Sequence, residues 1–200
     1  MDGGIEHLVE KALSLREKGL TRKEIALELH LSEETVSWLL ARGVKAEKPP
    51  ADIYIGWRSI GIYPDRLNRI AIIIADIIDE EMQKKDDYVE TVVGIALNGI
   101  PLATLVALQL NLEFTIFRPT YQEGEGIVKG AFASNYAGVE GKRVVIVDDV
   151  LSSGTTMAKT IEAVREHGGT PVLACVVVNK TRRDEIDGVP LRGLIRTNVV

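Results

Sequence analysis

Apolar positions recur every three or four residues through the first forty positions, then give way to β-branched runs separated by glycine. Ile5, Leu8, Val9, Ala12, Leu13 and Leu15 form a helical stripe that ends at Gly19, a residue suited to a left-handed helix stop. Thr21-Arg22-Lys23-Glu24 has capping-box spacing: a Thr hydroxyl for an orphan amide, and Glu three places on to answer it. It starts a short helix bearing Ile25, Ala26 and Leu29. Ser32 is placed to cap a third helix with Val36, Leu39 and Leu40 on its apolar face and Gly43 at its end. Lys48-Pro49-Pro50-Ala51 breaks this grammar, because Pro-Pro favours extended backbone. The expected boundary divides the chain into residues 1–48 and 49–200.

Beyond it, Pro64 suits a first helical position, and Leu67, Ile70, Ile73, Ile74, Ile77 and Ile78 predict a largely buried helix. Strand and helix then alternate: strands over Thr91–Ala96, Leu112–Phe117, Arg143–Val147 and Pro171–Val178, helices over Pro101–Leu110 and Thr155–His167. Uninterrupted Val/Ile runs between helices argue an α/β fold whose parallel sheet is covered on both faces. In such sheets, ligands bind beyond the carboxyl ends of the strands.

With 46% apolar and 26% charged residues, the 200-residue chain reads as globular, one generous domain or two small ones. No 18-residue apolar run exists, since Asp76 interrupts Ile70–Ile78, so no membrane span is expected. The first residues lack the basic region and apolar core of a secretory signal. A single cysteine, Cys175, excludes an internal disulfide. These features place the chain in the cytoplasm. Residues 1–48 carry 8 basic and 9 acidic side chains and the remainder 16 and 20, so contact with nucleic acid must be local.

Ile25, Ala26, Leu29, Leu31, Val36 and Leu39 sit where a helix-turn-helix needs its core. Ala26 is small enough for a close crossing, and Leu31 plugs the turn. His30 occupies the turn position that usually holds glycine, but His visits the left-handed region more readily than most residues. Ser32, Thr35 and Ser37 are the candidate backbone or base contacts, with Arg22 and Lys23 reaching phosphate. The alternative is a helical dimerisation or capping module. Residues 19–48 hold five basic and five acidic side chains, which makes a poor phosphate magnet.

The strongest chemistry lies in Val144-Val145-Ile146-Val147-Asp148-Asp149-Val150-Leu151-Ser152-Ser153-Gly154-Thr155-Thr156. A buried strand ends in two carboxylates, and a hydroxyl-rich turn through Gly154 then opens a helix. Backbone amides and the positive helix end can hold a phosphate, with Ser152, Ser153, Thr155 and Thr156 adding donors. Asp148 and Asp149 suit what lies beside it: sugar hydroxyls, or a metal spanning hydroxyls and diphosphate. A simple helix cap needs one such residue rather than six. No cofactor follows from the residues alone; Mg2+ is compatible with the acids when the ligand carries a diphosphate.

Asp148–Thr156 resembles the 5-phosphoribosyl 1-diphosphate signature of type I phosphoribosyltransferases, especially the orotate branch. Val93-Gly94-Ile95-Ala96-Leu97-Asn98-Gly99-Ile100-Pro101-Leu102-Ala103 resembles that branch's diphosphate-binding loop. The resemblance implies that Asp148 and Asp149 take ribose hydroxyls, residues 152–156 the 5-phosphate, and Asn98 and Gly99 the diphosphate side. In the catalytic flap of the orotate enzymes, which is similar to Arg-Lys-x-x-Lys-x-His-Gly, only Arg118 is matched. Pro119 and Gln122 stand for the lysines, Gly124 for the histidine, and Glu123 and Glu125 add repulsion. The family's Asp-Arg after the last core strand is Asn179-Lys180 here.

A retained cradle, a flap stripped of cations and a prefixed helix-turn-helix together resemble the archaeal phosphoribosyltransferase-like transcription regulators. In these, a winged helix-turn-helix precedes an orotate-type effector domain. That resemblance implies a homodimeric regulator that binds a double-stranded DNA operator and a small phosphorylated metabolite. The competing readings are an active phosphoribosyltransferase and a metabolite-binding scaffold.

Overall fold

The computed structural model describes residues 5–41, 52–122 and 126–197. The expected stop at Gly43, the Pro49-Pro50 linker and the Glu123-Gly124-Glu125 part of the flap lie outside those residues. The chain divides into two compact units, one reaching to Trp57 and one from Arg58 to Asn198.

The first unit holds three helices, α1 (Ile5–Glu17), α2 (Arg22–Leu29) and α3 (Glu33–Leu40). The capping box forms as its spacing requires: Thr21 Oγ accepts from the Glu24 amide at 3.3 Å, and Glu24 Oε2 accepts from the Thr21 amide at 2.8 Å. The Thr21 hydroxyl, which donates to Glu24 Oε2 at 2.7 Å, and then the Thr21 amide hold the Glu24 carboxyl below its usual range. His30 ends α2 in the left-handed region (φ 53°), so α3 can start within three residues. Ala12, Ile25, Ala26, Leu29, Leu31, Val36 and Leu39 close a common core. Each fully buried Leu or Ile there stabilises the unit by roughly 1.5–3 kcal/mol.

The second unit opens with the short α4 (Arg58–Gly61) and the long α5 (Pro64–Lys85). β1 (Thr91–Ile95), α6 (Gly99–Leu110) and β2 (Glu113–Gln122) follow, then β3 (Gly126–Phe132), β4 (Arg143–Leu151) and α7 (Thr155–Glu166). β5 (Thr170–Asn179), β6 (Glu185–Ile186) and β7 (Val189–Arg196) complete it. The sheet order is β3-β2-β1-β4-β5-β7-β6. β2, β1, β4, β5 and β7 are parallel, and β3 and β6 run antiparallel at the edges. This is the type I phosphoribosyltransferase arrangement, with helices on both sides of a mostly parallel sheet. Val144–Val147 and Val172–Val178 are buried throughout because a central parallel strand is covered on both faces.

Three differences from the sequence expectation have physical causes. The glycine-rich stretch after Phe117 folds as a β2–β3 hairpin, with Phe117 opposite Phe132 and their rings 5.4 Å apart. Strand β7 does not follow from the sequence pattern, since Val189–Arg196 mixes charge and glycine among its apolar residues. It survives because it pairs in parallel with β5 and turns Val189 and Leu191 into the core. Finally, α5 is not buried all round. Leu67, Ala71, Ile74, Ala75, Ile78 and Met82 face the sheet, whereas Ile72 is 48% and Ile73 50% exposed. On the sheet side of that helix, Glu81 is buried and accepts from Arg192 of β7 at 2.8 Å. This hydrogen bond is the main reason its carboxyl lies below the usual range. Burial pushes the nearby Cys175 thiol up to about 12, which leaves it unreactive.

A β-carbon at Gly130 would lie 1.9 Å from Phe117 Cζ, because the ring occupies the space beside the Gly130 backbone. Gly130→Ala is expected to destabilise the second unit by about 1–3 kcal/mol through overpacking, read as a lower urea midpoint at unchanged slope.

Candidate functional site

The order of the parallel strands reverses between β1 and β4: the chain moves outward to β2 on one side and to β5 and β7 on the other. A crevice opens at the carboxyl ends of two adjacent strands where such a reversal occurs. The loop after β1 carries Leu97, Asn98 and Gly99, with a cis Ala96–Leu97 peptide. Asp148 and Asp149 lie near the end of β4, which runs on to Leu151, past the Val147 stop expected from the sequence. These two segments touch. A β-carbon on Gly99 would lie 2.8 Å from Asp148 Oδ1 and 2.9 Å from the Val147 carbonyl oxygen. Only a residue without a side chain allows α6 to begin there, and the first turn of α6 is thereby set beside the Asp148 carboxylate.

Both carboxylates are held by the backbone. Asp148 Oδ1 accepts from the Asp149 amide at 2.9 Å, and Asp149 Oδ1 from the Val150 amide at 2.7 Å. Asp149 is buried and Asp148 half-buried. Burial first, and the neighbouring Asp149 charge second, push the Asp148 carboxyl well above the ordinary aspartate value. Beyond them the chain turns through Ser152, Ser153 and Gly154 into α7. Gly154 lies at φ 86°, which opens the turn at a conformation other residues resist. Ser153 Oγ accepts from the Thr155 amide at 3.3 Å and lies 3.0 Å from Thr155 Oγ1. Ser152, Ser153 and Thr155 are exposed and Thr156 half-buried. The first amides of α7 have no intrahelical acceptor, so this concave turn can receive an anion. Among the described residues no three His, Cys, Asp or Glu side chains converge as a metal site. Asp148 and Asp149 would hold a divalent ion only with oxygens supplied by the ligand.

Two placements could not be read from spacing. Asn179 is fully buried, and its amide is committed to the loop that follows β5. Its Oδ1 accepts from the Thr181 amide and hydroxyl, both at 2.8 Å, and its Nδ2 donates to the Arg183 carbonyl at 3.0 Å. The loop so shaped brings Arg183 Nη1 to 3.6 Å from where a Gly154 β-carbon would stand, over the hydroxyl-rich turn. In the hairpin, Arg118 pairs with Ala131 and Thr120 with Lys129. Strand alternation therefore puts the exposed Arg118 and Lys129 on one face of β2–β3, diagonal to each other.

In the first unit, Arg22 Nη1 donates to Ser37 Oγ at 3.3 Å and Nε lies 3.7 Å from Glu33, which joins the start of α2 to the outer face of α3. Lys23 is half-exposed beside Arg22. Ser32 caps α3 by accepting from the Thr35 amide at 3.1 Å. Thr35 is buried, and its hydroxyl donates to Asp52 at 3.0 Å; the Ser32 amide also donates to Asp52, at 2.7 Å. Asp52 thereby pins the start of α3. Nothing in the helical text pointed to it, because it lies beyond the Pro-Pro break.

Residues 56–197 match the family model described as the phosphoribosyl transferase domain. An adenine phosphoribosyltransferase crystal structure from Thermoanaerobacter pseudethanolicus shares this fold, with a TM-score of 0.58 at 20% identity over 75% of this chain and 91% of that one. Similarity over the full length is closer. The transcriptional regulator GfcR of Thermoplasma acidophilum is 48% identical over 196 residues, 98% of this chain and 97% of the relative. That of Archaeoglobus fulgidus is 46% identical over 194 residues, 96% of each. The chain belongs to the GfcR family of transcriptional regulators.

Because Asp148 keeps its proton to higher pH in the folded than in the unfolded chain, its contribution to stability is complete below the ordinary aspartate value and is lost as pH rises through the raised one. Asp148→Asn never ionises. The ligand-free variant should therefore melt near the parent temperature at about pH 4 and above it at neutral pH, with the gap widening as pH rises. Calorimetric scans across that range measure it, and a pH-independent difference would contradict the burial of this charge.

Proposed function

We propose that this chain is a cytoplasmic, homodimeric, DNA-binding transcription regulator whose second unit senses a phosphorylated sugar or nucleotide-type metabolite. The observation that carries the sensing half is the meeting of Gly99 with Asp148 at the strand-order reversal, which sets a diphosphate-type loop against two carboxylates and a phosphate-type turn. In this reading Asp148 and Asp149 hold sugar hydroxyls, and Ser152, Ser153, Gly154, Thr155 and Thr156 hold the phosphate. Asn98, Gly99 and Arg118 lie on the diphosphate side, and Arg183 reaches the turn from the β5 loop. Mg2+ accompanies the ligand where that ligand carries a diphosphate.

α2, the three-residue turn and α3 act as the helix-turn-helix, with the first unit, to Trp57, as the DNA-binding domain and the second, from Arg58, as the effector domain. Arg22, Lys23, Ser32 and Ser37 contact the duplex, and Thr35 acts through the Asp52-anchored start of α3. Arg22 exchanges its Ser37 and Glu33 partners for a phosphate on binding. Ligand entry shifts DNA affinity by a differential contact made through residues 118–142.

An active phosphoribosyltransferase is the competing reading. Release of diphosphate from 5-phosphoribosyl 1-diphosphate with orotate or a purine, lost in Asp148→Asn, would establish it against the regulator. For the regulator, DNA selected from a random pool by the purified chain should yield a roughly palindromic site. Arg22→Ala should weaken binding to it and lower the salt slope by about 1, one phosphate contact, in anisotropy titrations. Selection that returns no preferred sequence defeats this reading. Gly154→Val should abolish calorimetric binding of 5-phosphorylated ribose while leaving DNA affinity without ligand unchanged. Undiminished binding would move the phosphate elsewhere.

A further inference from the structure

α5 leaves a face uncovered that its sequence does not explain. Ile72 and Ile73 are about half exposed side by side at the middle of a 22-residue helix, an apolar pair with charged residues on either side. Arg66 and Arg69 precede the isoleucines, and Asp76 and Asp79 follow them, all four exposed. At 100° per residue these six side chains share one side of the helix, opposite Leu67, Ala71, Ile74 and Ile78.

We infer that this face packs against the same face of a second copy, with the two α5 helices antiparallel and a two-fold axis passing between Ile72 and Ile73. A two-fold contact requires a self-complementary patch. About that axis each residue meets the one equally far beyond the midpoint. Arg69, three places before Ile72, meets Asp76, three places after Ile73, and Arg66 meets Asp79 in the same way. The isoleucine pairs form the dry centre, and each of the two charge pairs occurs twice. Asp65 and Glu80 are the one like-charged match in this register. Each already holds a cation on its own helix, Arg69 at 3.1 Å and Lys84 at 2.6 Å. An exposed intrahelical pair such as Asp65–Arg69 contributes little, so Arg69 can turn to a partner. The helix is about 33 Å long, which permits contact well beyond this centre.

The inference deepens the dimer in the proposal above by naming its surface. It is tested on the full chain by sedimentation equilibrium with a charge exchange. The parent should be a dimer. Arg69→Asp and Asp76→Arg should each raise the dimer dissociation constant at least about tenfold, by setting like charges opposite each other twice. The double variant should return to within about threefold of the parent, because the exchanged charges match again across the axis. Circular dichroism confirms that each variant keeps its helices. A monomeric parent, as when the first unit of the same chain covers the isoleucines, would overturn the inference. A dimer unmoved by both single variants, or a double variant no tighter than the singles, would do the same. Loss of operator selection with this charge pattern intact would count against the regulator and leave the interface standing.

Discussion

The second unit turns on one close contact: the backbone at position 99 lying against Asp148. A side chain at 99 would occupy the space of a carboxylate oxygen and of the Val147 carbonyl. Its absence lets the loop after β1 close on the tip of β4 where the strand order reverses, so that α6 and α7 both begin at the same crevice. Their positive ends favour the charge that burial and Asp149 disfavour on Asp148. An apolar sheet interior, two helix starts and two acids therefore meet at one point. The strained electrostatics of that point are what a ligand with hydroxyls and an anion would relieve.

The polar wiring around the crevice shows how a transferase fold supports other work. Asn179 uses its whole amide to shape its own loop and so carries Arg183 toward the turn at Gly154. The hairpin keeps Arg118 and Lys129 on a common face, but the sequence has Pro119, Gln122 and Gly124 where the orotate enzymes carry cations, and Glu123 and Glu125 add negative charge. In the reading proposed above, a site that would hold a sugar phosphate without stabilising a departing diphosphate suits recognition better than turnover.

In the first unit the same economy applies to charge. Basic and acidic side chains are balanced, so affinity for a duplex cannot come from a broad positive field. In the reading proposed above it comes from the start of α3, which is fixed by the Ser32 cap and by Asp52, which receives both the Ser32 amide and the Thr35 hydroxyl. In the proposed dimer, a two-fold arrangement of such heads about one DNA turn apart would turn weak single contacts into a specific one.

Local sequence determined most of the elements of this protein, β7 and the β2–β3 hairpin apart, and the residues of its hydroxyl-rich turn. Capping at Thr21 and Ser32, the Val/Ile strands and the Asp148–Thr156 run are short-range patterns, governed by backbone hydrogen bonding and side-chain alternation within a few residues. The left-handed His30 belongs with them, since its cost is local. Tertiary structure decided what depends on pairs far apart in the chain: Gly99 with Asp148, Glu81 with Arg192, Asp52 with the start of α3, and β7 beside β5. It also decided which isoleucines of α5 remain uncovered. A run of Ile that circles a helix has no preferred face of its own, and only the sheet it packs against selects one.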